Sequence, residues 1–288
     1  MEDILPSIAY WCDYPTLVNL LCGSKAFRSC ISDTDLTKGT VRRLLVRHGN
    51  VIKAWTAYLD AEIFDLRIVK GLMEASGDIV SLVHAQDDIA LRFTSFRGHV
   101  DVARLLIENG ANVYARDNEA LRRASDKGHI KVVELLLDFD ADVHARDNEA
   151  LRYASDYGHV EVVRLLIKNG ADVHAQNNYA LRWASREGHV EVVRLLIENG
   201  AVSHGNLALN LASENGHLEV VRLLIENGPN VHIFNNYALT LASENGHLEL
   251  VRFFIDNGAD VHAFCDCALT LACKNGHLEV ADLLRKFS

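Results

Sequence analysis

ASREGHVEVVRLLIENGA fills residues 184–201, and ASDYGHVEVVRLLIKNGA fills residues 154–171. A chain that writes nearly the same phrase twice, with histidine at the same place, either lines up a row of imidazoles or repeats a building block. The spacing of the phrase decides between them. Gly-His recurs at Gly98, Gly128, Gly158, Gly188, Gly216, Gly246 and Gly276, at intervals of 30 residues with one of 28. A fixed period in that range marks a stacked array, because one such unit cannot cover its own apolar face.

Within a unit, Val190, Val192, Val193, Leu195, Leu196 and Ile197 form an apolar stripe at helical spacing. Glu191 sits in the first turn, where the helix dipole favours an anion. Asn199-Gly200 should close the helix, with glycine in the left-handed conformation. A shorter helix precedes it, with Asn178 as the expected N-cap and small residues Ala180, Ala184 and Ser185 allowing close packing. The linking ADVHAQN, residues 171–177, reads as extended loop. Each unit is thus short helix, turn, longer helix, loop.

This wording, ALxxASxxGHxEVVRLLIENGADVHA, resembles the ankyrin repeat. The resemblance covers residues 89–288 as seven repeats and implies an all-α solenoid of helix-turn-helix units. The units depart from the family pattern by lacking its Thr-Pro and by being three residues short, where the family's β-hairpin finger would project. Short units of this kind are similar to those in the ankyrin families of giant DNA viruses, which implies a host cytoplasm as location. Residues 65–79 read as a degenerate second helix and loop, so a worn leading repeat is expected over 53–88. Three irregularities stand out in the array. Phe139-Asp140 replaces Asn-Gly, the unit at 201–206 is two residues short, and Arg285 with Lys286 gives the last helix a polar end.

Composition narrows the function. With 39 acidic against 29 basic residues the net charge is −10, and no basic excess exists to replace counterions on nucleic acid. No apolar run reaches the roughly 18 residues a membrane-spanning helix needs. The start, MEDILPSIAYWC, has no signal-peptide pattern, so the six cysteines (Cys12, Cys22, Cys30, Cys265, Cys267 and Cys273) read as reduced thiols of an intracellular protein. No catalytic glycine motif appears, and the protein is expected to be a monomer without enzymatic activity or cofactor.

Fourteen histidines invite a metal site. Thirteen fall in two registers, the Gly-His position and a loop position that includes His84, His174 and His262. Equivalent residues of stacked helices lie about 8–10 Å apart, whereas zinc holds converging ligands at about 2 Å. A ladder cannot do that. The Gly-His imidazole is expected instead to satisfy backbone groups at the turn between helices, and no metal is expected at His262, Cys265, Cys267 and Cys273 either.

Positions that vary between units are free for recognition. The ankyrin resemblance implies that a protein partner lies on the concave face, made by the loops and the exposed side of the short helix. The residues that fall there are Phe96, Arg97, Asp126, Lys127, Asp156, Tyr157, Arg186 and Glu187, joined by Tyr179 and Tyr237. Aromatic and arginine side chains dominate binding hot spots. A second ladder, Arg92, Arg122, Arg152 and Arg182, suits either an acidic extended ligand or, as favoured here, pairing with carboxylates of adjacent helices. Arg123 stands in a register that otherwise holds Phe93, Tyr153, Trp183 and leucines, and the sequence gives no account of it.

Residues 1–52 do not repeat and read as two or three short helices. The order of Leu5, Pro6, Ile8 and Leu20 resembles an F-box, which implies docking on a Skp1-type adaptor of a cullin ubiquitin ligase. The alternative is a helical cap on the worn repeat.

Overall fold

Helices account for nearly all of the computed structural model, which describes residues 66–76, 78–201, 206–227 and 231–287. No strand occurs among the described residues. The segment expected as a degenerate second helix holds α1 (Leu66–Ser76), followed by a short α2 (Ile79–Val83). Paired helices then alternate: α3 (Ala85–Arg97) and α4 (Val100–Glu108), α5 (Ala115–Asp126) and α6 (Ile130–Asp138), α7 (Ala145–Asp156) and α8 (Val160–Lys168), α9 (Ala175–Arg186) and α10 (Val190–Glu198). The series continues with α11 (Leu207–Glu214) and α12 (Leu218–Glu226), α13 (Val231–Glu244) and α14 (Leu248–Asp256), α15 (Ala263–Lys274) and α16 (Leu278–Arg285). The architecture is the all-α solenoid of helix-turn-helix units that the repeat implied.

Contacts divide the chain into two compact units, one of residues up to Ala124 with Asp138–Ala141, the other of Ser125–Leu137 with Asp142–Ser288. In the second, first helices pack on first helices and second on second. The helix periodicity explains this. Val192, Val193 and Leu196 of α10 are fully buried, and Ala180, Ala184 and Ser185 of α9 are buried opposite them. Each fully buried valine or leucine contributes about 1.5–3 kcal/mol relative to exposure. The second helix ends as expected. Gly200 adopts φ 92, and Gly200 N–H donates to Ile197 O and Ala201 N–H to Leu196 O, both at 2.9 Å. Asp140 takes the same left-handed position at φ 61 and carries the strain of a Cβ there, about 1 kcal/mol.

Successive repeats are locked together by the Gly-His pair. His189 Nε2 lies 2.9 Å from Asp156 O, at the end of the preceding unit's first helix. His159 bonds Asp126 O at 2.9 Å, His217 bonds Arg186 O at 2.8 Å, and His247 bonds Glu214 O at 2.8 Å. A carbonyl only accepts, so each Nε2 carries the proton and donates. The imidazole serves backbone, as expected, but the backbone of the neighbouring unit rather than of its own turn. The ring reaches it by lying flat on the preceding glycine. A Cβ on Gly158 would stand 2.6 Å from His189 Nδ1. The two-residue deletion before Asn206 leaves this lock intact, since His217 still meets Gly188 and Arg186 O.

The linking segment is not the extended loop its sequence suggests. Three consecutive residues, Gln176, Asn177 and Asn178, have φ 53–55 and ψ 42–53, one turn of left-handed helix immediately before the right-handed one. The same turn appears at Gln86–Asp88, Arg116–Asn118 and Arg146–Asn148. Left-handed helix costs an L-residue about 1–2 kcal/mol, least for Asn and Asp, which fill the second and third positions of all four turns. Asn178 therefore stands at the helix start without capping it, its Oδ1 facing His174 Nδ1 at 3.1 Å.

The arginine ladder braces these turns. Arg92 donates Nε to Asp87 O at 3.0 Å and Nη2 to Gln86 O at 2.9 Å. Arg122 bonds Asp117 O and Arg116 O, both at 3.0 Å, and Arg152 bonds Asp147 O at 3.2 Å and Arg146 O at 3.1 Å. The third residue of the turn then reaches the next repeat: Asn148 Oδ1 accepts Asp172 N–H at 2.8 Å, and Asp88 Oδ1 accepts Asn112 N–H at 2.9 Å. These bonds hold a compact connector where a projecting hairpin has no room.

Gly158→Ala should lower stability by about 2–4 kcal/mol, combining left-handed strain with overpacking against His189. Gly170→Ala, at φ 91 with nothing within 4 Å of its Cβ, should lose only about 1 kcal/mol. Urea midpoints of the two variants check the difference; equal losses would leave the histidine lock without energetic weight.

Candidate recognition face

The first helix of each repeat ends one or two residues before Gly-His, and its outward positions are the ones that vary. In the first compact unit these bring together two aromatic-cation pairs, one within α3 and one between α3 and α5. Arg97 Cζ stands 5.2 Å from the Phe93 ring centroid, and Arg123 Cζ 5.7 Å from that of Phe96. Arg123 also donates Nε to Glu119 Oε1 at 2.9 Å, which accounts for its presence in an aromatic register. Glu119 receives Arg92 Nη1 on its other oxygen at 2.6 Å. Partial burial pushes this carboxyl up, but the hydrogen bonds and charges of Arg92 and Arg123 outweigh it and hold Glu119 below the ordinary value.

The second compact unit carries a longer series. Lys127 Nζ lies 5.6 Å from the Tyr157 ring and 3.1 Å from Asp126. Tyr157 is 55% exposed and stacks on His159 at 6.3 Å. Arg152 and Arg182 flank the Tyr179 ring at 5.0 and 5.6 Å. Tyr179 meets Trp183 at 5.3 Å, and Arg186 covers Trp183 at 4.5 Å while its Nε lies 3.6 Å from Glu187. Each exposed cation-aromatic contact is worth about 0.5–1 kcal/mol, so the series sets side-chain orientation more than stability.

Electrostatics are mixed on this face. Partial burial raises Asp156 above the ordinary carboxylate value, and the neighbouring Glu187 adds to the rise, against the opposing charges of Arg186 and His189. Partial burial also raises the Tyr179 phenol, with Asp156 next, so Tyr179 remains a neutral donor. The arrangement offers flat aromatic surfaces edged by guanidinium groups and holds no nucleophile activated by a base.

Most sequence-predicted residues thus meet a neighbour in one series or the other: Phe96 and Arg97 in the first unit, Asp126, Lys127, Asp156, Tyr157, Tyr179, Arg186 and Glu187 in the second. Tyr237 stands apart, 51% exposed, with no ring or cation contact among the described residues. Trp183 is the residue sequence reasoning missed. Its register signalled it, since Phe93, Tyr153 and Trp183 occupy the place where Leu211, Leu241 and Leu271 follow. Leu5, Pro6, Ile8 and Leu20 lie outside the described residues.

The loop histidines are engaged locally, His84 with Asp88 at 3.0 Å and His262 with Asp266 at 2.8 Å. Among the described residues, no three His, Cys, Asp or Glu side chains are placed to hold a metal ion. Cys267 is half-buried and Cys273 exposed, with Arg285 Nη2 at 3.4 Å from the Cys273 sulfur. No helix among them is long and apolar enough to cross a membrane.

Comparison with known proteins agrees with this geometry. The family profile described as ankyrin repeats in three copies matches residues 54–147, 114–177, 151–235 and 209–287. The crystal structure of the human ASB11 ankyrin repeat domain is similar at TM-score 0.59 and 25% identity, covering 68% of this chain and 96% of that one. No curated protein matches.

Because its folded pKa is raised, Asp156 binds a proton more readily in the native state, so it costs stability as pH rises through the acidic range above 3.8. Asp156→Asn should therefore be more stable than the parent at pH 7, with the advantage shrinking as pH falls toward 3.8. Thermal midpoints across that range check it, and an advantage that grows on acidification would refute the assignment.

Proposed function

Since this chain belongs to the ankyrin-repeat family, we propose that it is a non-catalytic scaffold that holds a protein partner across the concave face formed by its first helices and loops. Ankyrin repeats mediate protein-protein interaction. The proposal takes the array as a worn repeat over 53–88 and seven repeats over 89–288, acting as a monomer. One observation carries it. The varying registers are occupied by exposed or half-exposed aromatic and arginine side chains, with Tyr179, Trp183 and Arg186 in contact in turn and Tyr157 beside Lys127. Tyrosine, tryptophan and arginine are the residues that concentrate binding energy at protein interfaces. In the Trp183 register the last three repeats hold leucine, at Leu211, Leu241 and Leu271, so the aromatic chemistry of that register belongs to the earlier repeats.

A second reading concerns residues 1–52. If their F-box-like order docks a Skp1-type adaptor through Leu5, Pro6, Ile8 and Leu20, the array selects substrates for a cullin ligase. The likeness of the repeats to those of giant DNA viruses would place that activity in a host cytoplasm. Co-purification of the adaptor, abolished in Leu5→Ala with Pro6→Ala, distinguishes this from a simple cap.

Affinity capture on the immobilised full chain, followed by mass spectrometry, identifies the partner. Tyr157→Ala and Trp183→Leu should each weaken its binding about tenfold or more. Trp183→Leu borrows the residue of later repeats and should keep the thermal midpoint. Arg194→Ala, on the outer side of α10 and 49% exposed, should change nothing. Unaltered affinity in both aromatic variants, or in a charge swap of Arg97 and Arg186, would remove the partner from this face.

A further inference from the structure

The proposed face contains an internal example of what its arginines accept. Arg92 spends Nε and Nη2 on the left-handed turn of its own repeat and directs Nη1 to a carboxylate of the next one, Glu119 Oε2 at 2.6 Å. The acceptor stands directly after the left-handed turn, in the register Glu119, Glu149, Tyr179, Leu207. At the third and fourth places the carboxylate is gone. Arg152 still braces its turn with Nε and Nη2, but where the next repeat would offer Glu it meets the Tyr179 ring. Arg182 holds Gln176 O with Nη2 at 2.9 Å, its Nε has no partner, and the matching residue is Leu207, 48% exposed. Neither guanidinium has a carboxylate within salt-bridge distance among the described residues, although both are held in place by backbone and by one shared tyrosine ring. Asp156, on the same face, is nearest in charge to Arg186 and Glu187 rather than to this pair.

The geometry points to a seat for carboxylate side chains of the partner, formed by Arg152 and Arg182 at the Tyr179 ring, with Trp183 and Leu207 receiving an adjacent apolar residue. The occupant is thus an acidic segment of a protein, Asp or Glu next to a hydrophobic side chain, taking the place that Glu119 fills for Arg92. Preorganised guanidinium groups bind carboxylates through charge-assisted hydrogen bonds, and these arginines have lost their rotational freedom already. This inference rests on the first-helix face being the binding surface.

Random peptides displayed on phage and selected on the immobilised full chain provide the probe. The expected winners carry Asp or Glu beside an apolar residue, lose about tenfold or more in affinity when those acids become Asn or Gln, and weaken as salt is raised. Tyr179→Glu restores the internal carboxylate in a register where Glu119 and Glu149 already stand, so it should fold and should abolish the acidic peptides. Leu207→Glu repeats the test at Arg182 should the first variant prove unstable. Tyr179→Gln, which removes the ring without adding charge, should retain more binding than Tyr179→Glu. Failure to enrich any peptide, winners without acidic preference, or acidic winners indifferent to both glutamate variants would overturn the seat. Peptides that ignore Tyr179→Glu but are lost on Tyr157→Ala would refute the seat and leave the face; peptides indifferent to all three would refute both.

Discussion

The stacking of these repeats depends on an imidazole ring laid across a glycine of the previous unit. His159, His189, His217 and His247 each donate Nε2–H to a carbonyl at the end of the preceding first helix. That carbonyl is one of the acceptors a helix leaves unsatisfied at its C-terminus. The bond therefore settles a local deficit and fixes the spacing between units at once. It also explains why glycine and histidine recur as a pair: the ring needs the space a Cβ would fill, and the turn needs a left-handed residue. Buried Val, Leu and Ala supply most of the free energy, but apolar contact is non-directional. The histidine sets the register in which it is collected.

A connector of ordinary design could not maintain so short a unit. With three residues fewer than the family pattern, the chain turns back through one turn of left-handed helix, a conformation that L-residues resist. Asparagine and aspartate reduce the resistance, arginine from the following helix bonds two of the turn's carbonyls, and the last residue of the turn reaches the next repeat. The arginine is thus first a structural element. The sequence alone suits the ladder to an acidic ligand or to carboxylates of adjacent helices; the turn's own backbone is its first partner, and Arg92 with Glu119 agrees with the second reading.

The helices were legible because their information is local. Apolar residues at helical spacing, glycine after asparagine and small residues before serine lead directly to α9 and α10. Two features were hidden for different reasons. The histidine's partner lies in the preceding repeat, so no spacing within a unit discloses it. The left-handed turn was hidden by looking ordinary, since His-Ala-Gln-Asn reads as loop; the signal was the Asx pair shortly before Ala-Leu at Asp117-Asn118, Asp147-Asn148 and Asn177-Asn178, residue types that tolerate positive φ. The face was legible in outline because repeats built from one phrase make their exceptions visible. Trp183 escaped because the family buries leucine there, whereas in the structure it is half-exposed and meets Tyr179 and Arg186.

Function and stability meet at the arginine register. The first four repeats use the same brace, so each places a guanidinium at the same point along its face whether or not anything outside requires one. Where the following repeat supplies glutamate, the charge is neutralised internally, as Arg92 is by Glu119. Where it supplies tyrosine, Arg152 keeps both backbone bonds, and where it supplies leucine, Arg182 keeps the one to Gln176 O, while the outer edge of the guanidinium is released. A single exchange at the residue after the turn thereby converts a structural arginine into a recognition group without redesign of the fold. The cost at Arg152 is modest, because it keeps its backbone bonds and gains an aromatic face in place of the ion pair. Repetition supplies the rigid scaffold, and departures from it supply the chemistry.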